Sequence, residues 1–273
     1  MSISTTDFQF VTQLVRQRSS IDLQPGKEYL LEARLGPVAR QFGEADLAAV
    51  VSRLRRGDPG VIDAVIDAMT TNETSWFRDA HPFDAFKQEL LPAVTTGAPR
   101  QIVIWSAASS SGQEAYSLSI LLQEWLAANP GWRASIVGTD ISRKMVDRAR
   151  TAKYSQLEVN RGLPAPVLVR WFEQSGRDWL VKQPVRDLCR FDIGNLAKPA
   201  VGVPPCDIVF LRNVLIYFDA DTKRQVLANI RKVLRPGGFL VLGGAESSNT
   251  MDASFQRVDI GRAVVFRHTG GAA

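Results

Sequence analysis

Over residues 1–70 the apolar positions recur at three- and four-residue spacing. Phe8, Val11 and Leu14/Val15 share one helical face, as do Leu31, Leu35, Val38 and Phe42. The pattern repeats at Leu47, Val50, Val51 and Leu54, then at Val61/Ile62, Val65/Ile66 and Met69. Turn-forming breaks separate these stretches at Gln24-Pro25-Gly26, Gly43 and Gly57-Asp58-Pro59-Gly60. The spacing predicts a small helical bundle. A polar stretch, Thr70–Thr74, follows, then a short helix over Pro82–Leu91 and a boundary loop at Thr95-Thr96-Gly97-Ala98-Pro99.

From Arg100 the rhythm changes to strand alternating with helix. Short apolar runs predict strands at Ile102–Trp105, Ile136–Thr139, Asp207–Leu211, Phe239–Leu242 and Ala263–Phe266. Longer amphipathic stretches predict helices at Gln113–Ala127, Ser142–Thr151 and Asp221–Leu234. Such alternation argues for a doubly wound α/β fold, a mainly parallel sheet covered by helices on both faces. It is interrupted at about 154–185, where Pro164–Phe172 predicts a short helix and Trp179–Lys182 a short strand after the Gly176 turn. The expected organisation is thus a helical domain over 1–70, a linker over 71–99, and an α/β domain over 100–273 carrying a small inserted subdomain. The Gly-Gly-Ala-Ala end is expected to fray.

Composition narrows the function classes. At 45% hydrophobic residues the chain can bury an ordinary core. No run approaches the roughly 18 apolar residues of a membrane span, and MSISTTDFQF has neither the basic nor the apolar region of a secretory signal. Cys189 and Cys206 form no CxxC and only His81 and His268 accompany them, so a dedicated zinc site is not expected. A reducing cytoplasm is the simplest home. The net charge of +5 invites a nucleic-acid reading, but residues 1–70 carry 8 Lys/Arg against 9 Asp/Glu, and no base-reading motif accompanies the excess further on. Nucleic acid is therefore not the expected partner, nor is membrane insertion.

Several constellations carry chemistry. Ile102-Val-Ile-Trp105 runs into the small residues Ser106-Ala-Ala-Ser-Ser-Ser-Gly112, and a helix opens at Gln113-Glu114. Small residues at the carboxyl end of a buried parallel strand let a ligand approach the backbone, and the helix N-terminus adds unpaired N–H groups. Taken alone, the run also fits a tight turn with serine caps. It is not GxGxxG, which counts against a dinucleotide site. Asp140 ends the second strand, where a carboxylate can accept from ribose hydroxyls; it equally suits the N-cap of the helix that follows. Arg212, Asn213 and Tyr217 sit together at the end of another strand, more polar equipment than a connecting loop requires. Pro236-Gly237-Gly238 serves to end a helix and turn into the next strand. In Thr70-Thr71-Asn72-Glu73-Thr74-Ser75-Trp76-Phe77-Arg78, Thr70 and Glu73 fit a capping box, which leaves Asn72, Thr74 and Arg78 unexplained.

Together TNETSWFR (71–78), WSAASSSGQEAYS (105–117), GTDIS (138–142), LRNVLIYF (211–218) and LRPGGFLVLGGAES (234–247) resemble the chemotaxis receptor methyltransferases, the CheR family. The resemblance spans nearly the whole chain. It implies an all-α N-terminal domain followed by a doubly wound class I S-adenosylmethionine methyltransferase domain with a small inserted β-subdomain. It implies S-adenosylmethionine contacts from Asn72, Thr74, Arg78, Glu114, Asp140, Asn195, Leu196, Arg212 and Asn213, so that part of the linker joins the site. Arg78 and Tyr217 match the positions the family places beside the transferred methyl. Gln113-Glu114-Ala115 departs from the Glu-Glu-Pro of many relatives, but Glu114 keeps its place and its adenosine contact is expected to survive. The implied substrate is the side-chain carboxylate of glutamates on the cytoplasmic domain of chemotaxis receptors. The insertion resembles a subdomain that in some members docks a receptor tail peptide. Lys27 and Arg34, on one face of the expected helix Lys27–Phe42, are the candidates for the basic helix that meets the receptor, although Glu28 and Glu32 intervene and a solvated face serves as well.

Three rivals remain: a methyltransferase of the same fold acting on nucleic acid or a small molecule, a non-catalytic module binding cofactor or receptor, and a nicotinamide-dependent dehydrogenase. The missing GxGxxG disfavours the last.

Overall fold

The computed structural model describes residues 3–23, 26–96, 100–246, 251 and 253–270. The predicted turn at Gln24-Pro25, the loop at 97–99 and the tail at 271–273 lie outside the described residues.

The N-terminal helices are α1 (Thr5–Ser19), α2 (Glu28–Gln41), α3 (Leu47–Arg55) and α4 (Pro59–Met69). Their starts are written locally: the Ser4, Asp46 and Asp58 side chains accept from the first-turn N–H groups of α1, α3 and α4, and Pro59 occupies the first position of α4. The faces anticipated from periodicity, Phe8/Val11/Val15, Leu31/Leu35/Val38, Val50/Val51/Leu54 and Val61–Met69, meet in one core. Ile141, from the α/β part of the chain, packs against it.

The predicted helix Pro82–Leu91 is more broken and runs further. Helix α5 (His81–Ala85) passes through a π turn (Phe86–Leu90) into α6 (Leu91–Thr95). Pro92 explains the widening. It has no N–H to donate, and its ring would press on the carbonyl one turn back, which a wider turn relieves.

The α/β part comprises β1 (Gln101–Ala107), α7 (Gln113–Ala128), β2 (Arg133–Asp140) and α8 (Arg143–Thr151). An insertion follows, with β3 (Lys153–Ser155), α9 (Gln156–Val159), α10 (Ala165–Trp171), β4 (Phe172–Ser175) and β5 (Asp178–Val181). Then come α11 (Gln183–Asp187), β6 (Cys189–Ile193), β7 (Cys206–Leu211), a 3-10 turn (Leu215–Tyr217), α12 (Ala220–Val233), β8 (Leu234–Leu242), β9 (Phe255–Ile260) and β10 (Ala263–His268). The seven-stranded sheet has the order β6-β2-β1-β7-β8-β10-β9. It is parallel from β6 to β8 and antiparallel where β10 joins β8 and β9. The insertion forms a separate antiparallel sheet, β3-β5-β4.

Period-two alternation divides the core. Ile102, Ile104, Ile208, Phe210 and Val241 face one helical layer, while Val103, Trp105, Val209, Leu211, Leu240 and Leu242 face the other. Strands β6, β9 and the start of β8 were not anticipated. Helix α12 stops at Val233, Leu234 already pairs with Cys206, and a register shift between Cys206 and Ile208 absorbs Pro236-Gly237. Gly238 is needed at this crossing: a Cβ there would lie 2.6 Å from the Asp207 carbonyl oxygen. No helix among the described residues is long and apolar enough to cross a membrane.

Candidate active site

After β1 the chain goes to β2 and β6 on one side, then returns to β7 on the other. The sheet therefore has a topological switch point between β1 and β7, where α/β folds open a crevice at the carboxyl ends of their strands. The cleft found there has a volume of about 890 Å³, mouth included. Asn72, Thr74 and Arg78 line it from one segment, Glu114 from the first turn of α7, Asp140 from the end of β2, Asn195 and Leu196 from beyond the end of β6, and Arg212, Asn213 and Tyr217 from beyond the end of β7. The structure thus brings every candidate residue to one place.

The floor is the loop after β1. Ala108, Ser110 and Gly112 all adopt positive φ (66°, 49° and 95°), which turns the chain sharply between strand and helix. Ser109 N–H donates to the Thr139 carbonyl (2.9 Å), and Ser110 N–H donates to Asp140 Oδ2 (2.8 Å). The other oxygen of Asp140, Oδ1, accepts from Ser142 N–H at 2.9 Å. Asp140 is not the N-cap of α8; Ser142 is, its hydroxyl accepting from Met145 N–H. Burial pushes the Asp140 carboxyl above its ordinary value, and the Ser142 and Ser110 N–H groups oppose that rise. Gly112, not a serine, caps α7, and a Cβ on it would stand 3.0–3.2 Å from Ala149, Tyr154 and Tyr116.

The segment from Thr70 to Ala80 forms the roof. It is irregular rather than helical, a loop over 71–75 that runs into a turn over 76–79, so the capping box suggested by Thr70 and Glu73 does not form. Thr70 instead ends α4, its hydroxyl donating to the Asp67 carbonyl. Three anchors hold the roof. Ser110 Oγ donates to the Asn72 carbonyl (2.8 Å), Phe77 N–H donates to Ser117 Oγ (3.1 Å), and Trp76 N–H donates to the Arg161 carbonyl (3.0 Å). The Trp76 ring is fully buried and meets Tyr154 and Phe172 of the inserted sheet edge-on. Beyond it, Phe77, Asp79 and Ala80 all lie at positive φ (46°, 68° and 48°), strained for residues other than glycine.

Arg212 explains how that strained turn is retained. Its side chain is 1% exposed and donates to Glu114 Oε2 (3.0 Å), Asp79 Oδ2 (2.7 Å) and the Arg78 carbonyl (2.9 Å). Glu114 Oε1 accepts from Ser106 Oγ at 2.8 Å. A buried guanidinium between two carboxylates therefore joins β7, α7 and the roof. Arg78 donates to the Glu73 carbonyl at 2.8 Å, leaving most of its donor fork uncommitted.

Arg34 does not present a basic face. Its guanidinium donates to the carbonyls of Ala68 (3.3 Å), Met69 (2.7 Å) and Thr70 (3.0 Å) and to Thr71 Oγ1 (3.1 Å). Lys27 stands just before α2, at its N-cap, and makes no side-chain cap bond there.

The residues fit a nucleoside-bearing ligand. Each Asp140 oxygen takes one N–H and keeps acceptor capacity for a vicinal diol. Ile141 and Leu196 give apolar surface for a planar base next to it. Among the described residues no group of His, Cys, Asp or Glu is placed to hold a metal ion.

Sequence reasoning missed Ser19 and Ile21, which line the cleft from the end of α1. That end is tied to two site loops: Arg18 offers its carbonyl to Asn195 Nδ2 (2.9 Å), and Asp22 N–H donates to the Tyr217 carbonyl (3.2 Å). Asp79 and Glu246 were also missed, although Glu246 lies inside a motif already singled out.

Comparison with known proteins accounts for the two parts of the chain. Residues 6–70 match the family described as CheR methyltransferase, all-alpha domain, and residues 72–264 match CheR methyltransferase, SAM binding domain. Chemotaxis protein methyltransferase 1 of Pseudomonas aeruginosa is 38% identical over 272 residues, 98% of this chain and 99% of that protein. Chemotaxis protein methyltransferase Cher2 of Pseudomonas putida is 38% identical with the same coverage of each. The chemotaxis protein methyltransferase of Escherichia coli is 30% identical, covering 93% of this chain and 89% of that protein.

Proposed function

Because this chain belongs to the CheR methyltransferase family, whose larger domain binds S-adenosylmethionine, we propose that it forms methyl esters on glutamate side chains of chemotaxis receptors, acting on their cytoplasmic domains from the cytoplasm. The observation that carries the proposal is the convergence of Arg78 and Tyr217 on the cleft that also holds Asp140, Glu114 and Arg212.

When bound, S-adenosylmethionine supplies a methyl group on a sulfonium cation and leaves as a neutral thioether. In this proposal Asp140 holds the ribose diol, Ile141 and Leu196 flank the base, and Asn72, Thr74, Arg212 and Asn213 complete the binding surface. The acceptor needs no general base. A glutamate with pKa near ~4.3 is already ionised at neutral pH, so the absence of histidine from the described lining of the cleft is no obstacle. What remains is placement, and correct alignment of reacting groups can supply several powers of ten in rate. Arg78, with its uncommitted donors, orients the incoming carboxylate. Tyr217 packs or hydrogen-bonds the acceptor on the other side. A site kept dry beneath the roof suits a reaction in which an anion and a cation become two neutral products.

The test is incubation of the purified chain with methyl-labelled cofactor and receptor cytoplasmic fragments. Label released as methanol in mild base is the expected result. Label on nucleic acid or a small amine would point to another acceptor, and stoichiometric cofactor binding without turnover to a non-catalytic module.

A further inference from the structure

We infer that Glu246 is a positioning residue for methyl transfer, its buried carboxylate holding in place the loop that carries Arg212, Asn213 and Tyr217. The inference rests on the roles proposed above for that loop. Glu246 follows β8 and is 6% exposed. Its Oε1 accepts from the N–H groups of Val214 (2.8 Å) and Leu215 (2.7 Å), and its Oε2 from Gly243 N–H (2.6 Å). Its own N–H donates back to the Gly243 carbonyl at 3.0 Å, which fixes the turn it sits on.

Val214 and Leu215 open the 3-10 turn Leu215–Tyr217. The first N–H groups of such a turn have no partner within it, and Glu246 supplies one from the turn after β8. Three converging N–H donors select a carboxylate, which accepts on both oxygens. An amide would turn its own N–H₂ toward Gly243 N–H, donor against donor. The bonds are short and charge-assisted.

A second contact presses the same loop. A Cβ on Gly243 would stand 2.9 Å from the backbone nitrogen of Asn213, from its side-chain amide and from the Glu246 carboxylate. Asn213 itself sits at φ 59°, in the left-handed region. Neither Glu246 nor Gly243 is among the residues lining the cleft. Their effect on chemistry must therefore pass through Asn213 and Tyr217.

The experiment compares the full chain with Glu246→Gln, Tyr217→Phe and the double variant, each confirmed folded by circular dichroism at the assay temperature. Glu246→Gln is expected to lower kcat for base-labile methyl transfer about 10–100-fold, the scale on which displacing a positioned group by ~1 Å acts. The double variant should fall no more than about threefold below the weaker single one, since both changes disable one element. Glu246→Asp, which keeps the charge, should recover part of the loss. Calorimetric binding of S-adenosylhomocysteine reads the loop without an acceptor and should weaken about tenfold in Glu246→Gln, because Arg212 and Asn213 ride on it. Losses that multiply in the double variant, or unchanged kcat and affinity in Glu246→Gln, overturn the inference. If the wild-type chain methylates no receptor carboxylate, the proposed function fails, and the calorimetric comparison alone still decides the case of Glu246. Should Glu246→Gln not fold, Gly243→Ala disturbs the same loop from the strand side and takes its place, with the same supporting and overturning results.

Discussion

Replacing Arg34 by alanine separates two readings of helix α2. In α4 the last four carbonyls lack ordinary helical partners. Ile66 receives Thr70 N–H and Asp67 receives the Thr70 hydroxyl, while Ala68 and Met69 depend on Arg34. The same guanidinium reaches Thr70 and Thr71, where the roof of the cleft begins. A hydrogen bond to a charged donor contributes about 1.5–3 kcal/mol, and a cation at a helix C-terminus adds about 0.3–1 kcal/mol. The contributions do not sum, because the freed carbonyls recover water at this half-buried place; a net loss of about 2–3 kcal/mol is expected. For a chain of this size that corresponds to about 4–5 °C in melting temperature.

Thermal unfolding followed by circular dichroism measures that loss, and calorimetry with S-adenosylhomocysteine shows whether the roof loosens with it. Arg34→Ala should lower the midpoint and weaken binding several-fold. Arg34→Lys should restore less than half of either, since an ammonium is a point donor that cannot span four acceptors. If Arg34→Ala leaves melting and ligand affinity untouched and only receptor binding falls, the clamp is not what Arg34 is for, and α2 offers it to the partner instead.

Other outcomes follow from the same geometry. Arg78→Ala should reduce turnover about 100-fold or more with little change in melting, because its side chain makes one backbone contact and otherwise faces the cleft; unchanged turnover removes Arg78 from the mechanism. Arg212→Met strands Glu114 without its cation and frees the strained turn at Asp79, so a loss of about 3–5 kcal/mol in denaturant unfolding is expected; a neutral effect would show that the network is not stabilising. Asp140 titrates above its ordinary 3.8 because of burial. Below 3.8 it is protonated folded and unfolded alike. As pH rises above 3.8 the unfolded chain ionises first while the folded carboxyl keeps its proton, so the stability contribution declines; on passing the raised value the folded carboxylate forms and gains the acceptors a diol needs. Affinity for S-adenosylhomocysteine should therefore climb with pH through that value, and Asp140→Asn should abolish the step; an identical pH profile in the variant would rule out the diol contact.

The legible parts of the fold are those where burial left a clean periodicity. Strands β1 and β7 are buried on both faces and read as apolar runs, and α1–α4 each bury one stripe. Strand β6 hides because Cys189-Arg-Phe-Asp-Ile is short, lies at an edge and places Arg190 and Asp192 outward, which in sequence resembles a loop. The other edge strand, β9, does the same with Gln256, Arg257 and Asp259. An edge strand needs its charges to discourage further pairing, so the feature that makes it safe in the fold also erases its signature in the sequence.

The site divides along a related line. Residues that line the cleft cluster at strand ends, where several polar groups in an otherwise apolar context stand out; hence Asp140, Arg212 and Asn213 could be found. Residues that act on the backbone of those residues carry no such mark. Glu246 looks like any acidic residue after a strand, and Arg34 like any basic residue on an amphipathic helix, until their acceptors and donors are seen to come from remote parts of the chain. The T-x-x-E pattern at Thr70–Glu73 shows the converse, a local signal present without its structure, because Arg34, Ser110 and the buried Trp76 ring hold that segment out of a helix. Tertiary anchors of this kind outweigh a cap worth about 1 kcal/mol. The roof of the cleft is therefore set by contacts with several separate parts of the molecule, and its shape follows from them rather than from its own sequence.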